Sequence, residues 1–321
     1  VSWLAALAAA ALASGGFTFD VARHPVDGGG LSNWPGQPAT FPQGVTGIGD
    51  IIYAQPLHYR PLRLDLYRPP AGASAPLLVH VHGGAWVNGT KRMGGPVKDY
   101  PALLAQLAAK GYVVASVEYR LDGEAHFPAA IQDVKAAIRF LRQHAADYGI
   151  DPTRVGIFGE SAGGQLAGLA ATSCGVPAFE PPALPGAEGI STCVQAGAPW
   201  YGVYDFATVP TPPGNTGPAP YLGCPTPQCP AETMRFASPI AYVDRKDPPM
   251  LLIHGSADTL VAVSQTQEFE AKLRQSGVPV KAVYIPGVDH GLIGKDDAAT
   301  GAAVQQGMTE MLGFFDRTFK P

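Results

Sequence analysis

From about residue 48 onward the chain alternates short apolar runs with stretches of helical period, and no other feature restricts its possible folds as much. Residues 48–53 and 62–67 read as an opening pair of strands. Further apolar runs stand at 77–81, 113–118, 154–158, 192–197, 250–253 and 280–285. Runs this short and apolar suit strands covered on both faces of a mostly parallel sheet. Between them, Ile131, Val134, Ile138, Leu141 and Ala145 recur on one helical face, with Gln132, Asp133, Lys135, Arg139 and Arg142 mainly on others. Val304, Met308, Met311, Phe315 and Phe319 repeat in the same way near the C-terminus. The pattern predicts a doubly wound α/β domain with a central sheet of about eight strands flanked by helices.

The ends and the loops fill in the organisation. Residues 1–13 are uncharged and nearly all apolar, too short a run to span a bilayer, and close on Ala11-Leu12-Ala13. They read as the remnant of a secretory signal. Residues 14–47, rich in Gly, Pro and Ser, read as an N-terminal arm, and 48–321 as one domain. Within it, 175–240 is crowded with Pro and Gly and is expected to form a small loop-rich lid. Export, to the periplasm or the medium, would permit disulfides among the four cysteines. Cys224 and Cys229 are close enough to pair through one short loop, leaving Cys174 and Cys193 as the second pair; four free thiols is the alternative. Charged residues are only 15 % of the chain and the net charge is −4, so no cationic surface for nucleic acid or an anionic membrane is expected. Neither C-x-x-C nor H-E-x-x-H occurs, and no metal or cofactor is expected.

One turn carries chemistry. Gly159-Glu160-Ser161-Ala162-Gly163-Gly164 contains G-x-S-x-G directly after the strand candidate 154–158, and it opens a small-residue helix from Gln165 to Thr172. A serine on so sharp a strand-to-helix turn projects its hydroxyl above the sheet, while the helix start aims free N–H groups at a developing oxyanion. The sequence His82-Gly83-Gly84-Ala85-Trp86 follows the strand at 77–81 in the same manner. Its glycines let backbone N–H groups approach a carbonyl oxygen, so Gly83, Gly84 and Ala162 are the expected donors of an oxyanion hole. His82 is expected to brace this loop. Trp86 either lines a pocket or packs beneath the loop.

A serine hydroxyl needs an imidazole to take its proton, and in this strand order a carboxylate and then a histidine should follow. Asp258 stands just beyond the strand at 250–253, and His290 just beyond the strand at 280–285. Parallel strands would bring both loops to the edge that carries Ser161. Asp205 is the competing acid, and Asp289 adjoins the histidine but is expected to point elsewhere. Trp86, Trp200, Tyr201 and Tyr204 are candidates for an aromatic substrate pocket.

HGGAW followed by GESAGG resembles the α/β-hydrolase superfamily, in the esterase branch related to hormone-sensitive lipase and to bacterial carboxyl and feruloyl esterases. The likeness covers roughly residues 48–320. It implies an α/β-hydrolase fold and hydrolysis of carboxylic esters through Ser161, His290 and Asp258. Short acyl or aryl esters are implied, acetyl or feruloyl among them, either small or linked to polysaccharide. Many relatives have a third glycine where this chain has Ala85, and an aspartate where it has Glu160. The latter carboxylate is expected to make supporting hydrogen bonds. An exopeptidase of the prolyl oligopeptidase type, a lipase and a noncatalytic binding protein are the other functions this fold suggests.

Overall fold

The computed structural model describes residues 38–70, 72, 74–182, 186–209, 217–224 and 229–320. The expected signal remnant at 1–13 lies outside the described residues, as does most of the expected arm. Nine strands form one sheet: β1 (Pro38–Thr40), β2 (Thr46–Ala54), β3 (Leu62–Arg68), β4 (Ala75–Val81), β5 (Val113–Val117), β6 (Ile150–Glu160), β7 (Ala196–Trp200), β8 (Met250–Gly255) and β9 (Val280–Ile285). Their order is β1-β2-β3-β5-β4-β6-β7-β8-β9. The first three strands pair antiparallel down to β5, and β5 through β9 are parallel. The extra strand, β1, falls inside the stretch expected to be the arm; three residues give no periodicity to read.

The parallel strands are apolar throughout because each face meets a helix layer. Leu77, Val79 and Val81 of β4 point into one core cluster and Leu78 into the other. Met250 and Leu252 of β8 likewise oppose Leu251 and Ile253. On the first face lie α2 (Ala129–Gln143), α3 (Ala162–Thr172) and α4 (Ser264–Gln275), and on the second α1 (Tyr100–Ala108) and α5 (Asp297–Phe319). The expected stripes of α2 and α5 are buried. Two polar residues of α2 are buried with them: Asp133 takes the Arg120 guanidinium at 2.8 Å, and Lys135 Nζ donates to the Ser173 carbonyl at 2.6 Å. Among the described residues no helix is long and apolar enough to cross a membrane.

β7 starts four residues later than the predicted run at 192–197 and overlaps its end. The start of that run is held from outside the sheet, by Thr192 Oγ1 on the Glu180 carboxylate and by the Cys174–Cys193 disulfide. The strand itself contains Pro199, which lacks a ladder N–H and so hides a strand from the sequence. The second disulfide joins Cys224 and Cys229.

The topology opens a crevice at one place. β4 connects onward to β5 on one side, whereas its neighbour β6 connects onward to β7 on the other. Loops leaving the carboxyl ends of β4 and β6 therefore part company, which is where open α/β sheets bind ligands.

Cys174 and Cys193 are 19 residues apart, so their bond removes more chain freedom from the unfolded state than the five-residue separation of Cys224 and Cys229. Replacing both Cys174 and Cys193 with serine should lower the unfolding free energy by about 3 kcal/mol in denaturant titration. An unchanged midpoint and slope would contradict this.

Candidate active site

The two glycine-rich turns meet in that crevice. β6 ends at Glu160 and α3 begins at Ala162, leaving Ser161 alone to make the turn at φ 54° and ψ −116°. A non-glycine residue there is strained by about 1–3 kcal/mol. It is held by a hydrogen bond from its N–H to the Trp200 carbonyl at 3.0 Å. The helix can follow so closely because Gly163 has no side chain: a Cβ there would stand 2.0 Å from the Val81 carbonyl oxygen. Gly83 is constrained from the opposite side, since its Cβ would come within 2.8 Å of the Glu160 carbonyl oxygen and 3.4 Å of Ser161 Cβ. The sequence thus joins β4 and β6 backbone to backbone at the serine.

Ser161 Oγ lies 2.9 Å from His290 Nε2, although 129 residues separate them. His290 Nδ1 donates to Asp258 Oδ2 at 2.8 Å. The Asp258 side chain is fully buried and accepts further bonds from the N–H groups of Leu260 and Val261, at 2.9 and 2.8 Å, and His254 Nε2, whose N–H is shared with the Val261 carbonyl at 2.9 Å, reaches it at 3.2 Å. Burial alone would raise its pKa. The hydrogen bonds from His254 and His290, reinforced by the charge on His290 when protonated, outweigh burial and hold it well below the usual carboxylate range. Asp205, the competing acid, instead caps a short turn through Ala207 N–H at 2.9 Å. Asp289 accepts from the N–H groups of Thr259 and His290, both at 2.7 Å, lacing the acid and base loops together.

The N–H groups of Gly83, Gly84 and Ala162 find no acceptor among the described residues. For Ala162 this follows from its place at the start of α3, where helical N–H groups have no partner one turn back. His82 braces the loop as expected: its Nδ1–H donates to the Gly83 carbonyl at 2.7 Å and its ring stacks on Tyr119.

The cleft over Ser161 holds about 420 Å³ and is lined by residues of the 83–96 loop, by Tyr201 and by Leu260, His290, Gly291 and Ile293. Of 175–240, Tyr201 alone lines the cleft among the described residues; Phe206, Tyr221 and Ala237 pack into the core instead. Tyr201 sits at φ 33°, with its ring edge-on to His290 at 5.1 Å. Trp86, expected as a substrate contact, is turned beneath its loop by a run of positive φ from Gly84 to Trp86. Its ring stacks on Tyr221 at 4.4 Å, and Nε1 donates to Gln165. Trp200 is likewise one layer down, its ring against Gly307 and bordering a cavity of about 20 Å³. Tyr204 is fully buried on Phe269.

Two partners went unread in the sequence. His254 reaches Asp258 from the end of β8, and the only signal is an i, i+4 spacing that many loops share. Below Ser161, Glu160 accepts from Tyr100 at 2.5 Å and bonds His80 Nε2 at 3.0 Å, while His80 Nδ1 meets Ser116 at 2.7 Å. A hydroxyl, imidazole and carboxylate in series, facing unpaired N–H groups, can perform nucleophilic acyl transfer.

The BD-FAE family model matches residues 64–273. Esterase LipQ of Mycobacterium tuberculosis is 35 % identical over 298 residues, 88 % of this chain and 66 % of that protein. The probable carboxylic ester hydrolase LipM of the same organism is 34 % identical over 314 residues, covering 90 % and 67 %. This chain spans about two thirds of the length of both. A truncated form of a carbohydrate esterase from gut microbiota superposes with a TM-score of 0.73 at 28 % identity, over 86 % of this chain and 96 % of that one.

Burial of His82 pushes its pKa down from 6.5 to about 4, against the hydrogen bond to the Gly83 carbonyl. The unfolded chain then binds more protons between those values, so the stability present above pH 6.5 is lost as pH falls toward 4. The loss due to this residue is about 3 kcal/mol. Unfolding free energies of the wild type and of His82→Gln, measured from pH 7 to 4, should differ in slope, with the variant shallower; parallel slopes would contradict a neutral buried imidazole.

Proposed function

The chain belongs to the BD-FAE family, and on that footing we propose that it is a serine carboxylic-ester hydrolase acting on short-chain acyl or aryl esters. Ser161 is the nucleophile, His290 the general base and then acid, and Asp258 the group that fixes the imidazole tautomer and stabilises its cation. His290 takes the Ser161 proton as Oγ attacks the ester carbonyl. The tetrahedral oxyanion sits among the N–H groups of Gly83, Gly84 and Ala162. His290 then protonates the departing alcohol, and water enters by the same route to release the acid. Every step is served by side chains, backbone and water.

The observation that carries this reading is the unbroken series from Asp258 to His290 at 2.8 Å and on to Ser161 at 2.9 Å. The esterase names of the mycobacterial relatives and of the carbohydrate esterase neighbour support the reaction class. Feruloyl-type esters are part of the same proposal. The two disulfides support export as the setting in which the enzyme works.

Ser161→Ala should reduce kcat on p-nitrophenyl acetate by at least about 10⁴-fold while the far-UV spectrum stays that of the wild type. Residual activity within tenfold of the wild type would overturn the assignment.

A further inference from the structure

The cleft carries exposed aliphatic side chains from the 83–96 loop, where Met93 is 57 % exposed, and from the loops of Asp258 and His290, and the direction of proton transfer dictates which part of an ester meets the latter. The oxyanion lies toward Gly83 and Gly84, the side on which Asn88 also stands. The expelled oxygen must receive its proton from His290 Nε2, within about 3 Å, so the alcohol portion lies on the imidazole side. There the lining side chains are aliphatic. Leu260 follows Asp258 by two residues and Ile293 follows His290 by three, and both border the cleft. They are 67 % and 52 % exposed, large apolar groups left in water beside the reacting centre.

Their placement is fixed by the same bonds that hold the relay. Leu260 N–H donates to Asp258, and Asp289 exchanges backbone hydrogen bonds with Ile293 at 2.8 and 3.3 Å. Asp289 also holds Thr259 through both its N–H and its hydroxyl. Among the described residues no Lys, Arg or Gln side chain lines the cleft, and the one carboxylate there, Glu160, is occupied by Tyr100 and His80. A sugar placed against Leu260 and Ile293 would give up hydrogen bonds to water without replacement, whereas an apolar alcohol would cover both side chains.

We propose that Leu260 and Ile293 form the leaving-alcohol subsite and select esters of apolar alcohols, aryl or alkyl, over esters of sugars. This rests on the esterase reading above. The test holds the acyl group constant and compares benzyl acetate, methyl acetate and acetylated xylobiose, on the wild type and on the double variant Leu260→Ser/Ile293→Ser. Wild-type kcat/KM should favour benzyl over methyl acetate by about tenfold or more and rank the sugar ester below benzyl acetate. In the double variant the benzyl-to-methyl ratio should fall about tenfold, chiefly through KM. Equal turnover of benzyl and methyl acetate, preference for the sugar ester, or a ratio that survives the double substitution overturns the subsite alone. Failure to hydrolyse all three, with Ser161 unlabelled by a fluorophosphonate, overturns the esterase reading and the subsite with it.

Discussion

The Asp258 carboxylate is removed from water and collects four N–H groups, two from its own loop and two from imidazoles. That arrangement decides where His290 stands. A buried carboxylate without such donors would be costly, and with them it becomes a fixed negative point to which only one imidazole nitrogen can turn. Once Nδ1 is committed there, Nε2 faces Ser161, and the tautomer needed to accept a hydroxyl proton is set by hydrogen bonding rather than by chance. Asp289 adds the second tie by joining Thr259 to His290, so the loops that carry Asp258 and His290 are bonded to each other.

Ser161 is fixed from below by a separate set of bonds. Glu160 precedes Ser161 and anchors to α1 through Tyr100 and to β4 through His80. Ser116 of β5 extends the series by bonding His80 and donating to the Lys91 carbonyl. Lys91 in turn pairs with Asp50 and Glu118, each at 2.8 Å, so the loop that walls the cleft is pinned to the sheet from beneath. The strained backbone of Ser161 persists because Glu160 before it is tied down and its own N–H and carbonyl are bonded to the Trp200 carbonyl and the Gln165 N–H. The elbow and the relay therefore have independent supports that converge only at the Oγ–Nε2 contact.

What the sequence makes legible follows from how local each signal is. The eight strand runs, the stripes of α2 and α5, and the order serine, aspartate, histidine beyond successive strand ends are local patterns, and a parallel sheet converts them into one site. The reading fails where a residue's role depends on a partner far along the chain. Trp86 and Trp200 carry no local mark of facing the core rather than the cleft; Tyr221, Gln165 and Gly307 decide it. Among the described residues of 175–240, Phe206 and Tyr221 pack into the core while Tyr201 lines the cleft, a division that Pro and Gly content does not reveal. His80 looked like a strand residue and is one; that it also supports Glu160 depends on β4 and β6 being neighbours, a pairing between segments about 80 residues apart.

The account stands on Asp258 orienting His290 toward Ser161, and the most direct measurement is the rate at which a fluorophosphonate labels Ser161, followed by mass spectrometry, in the wild type and in Asp258→Asn. The amide keeps the size of the side chain but favours the wrong imidazole tautomer, and labelling of Ser161 should slow by about 10⁴-fold. Equal labelling rates in the two proteins, or label carried on another residue, would contradict the account.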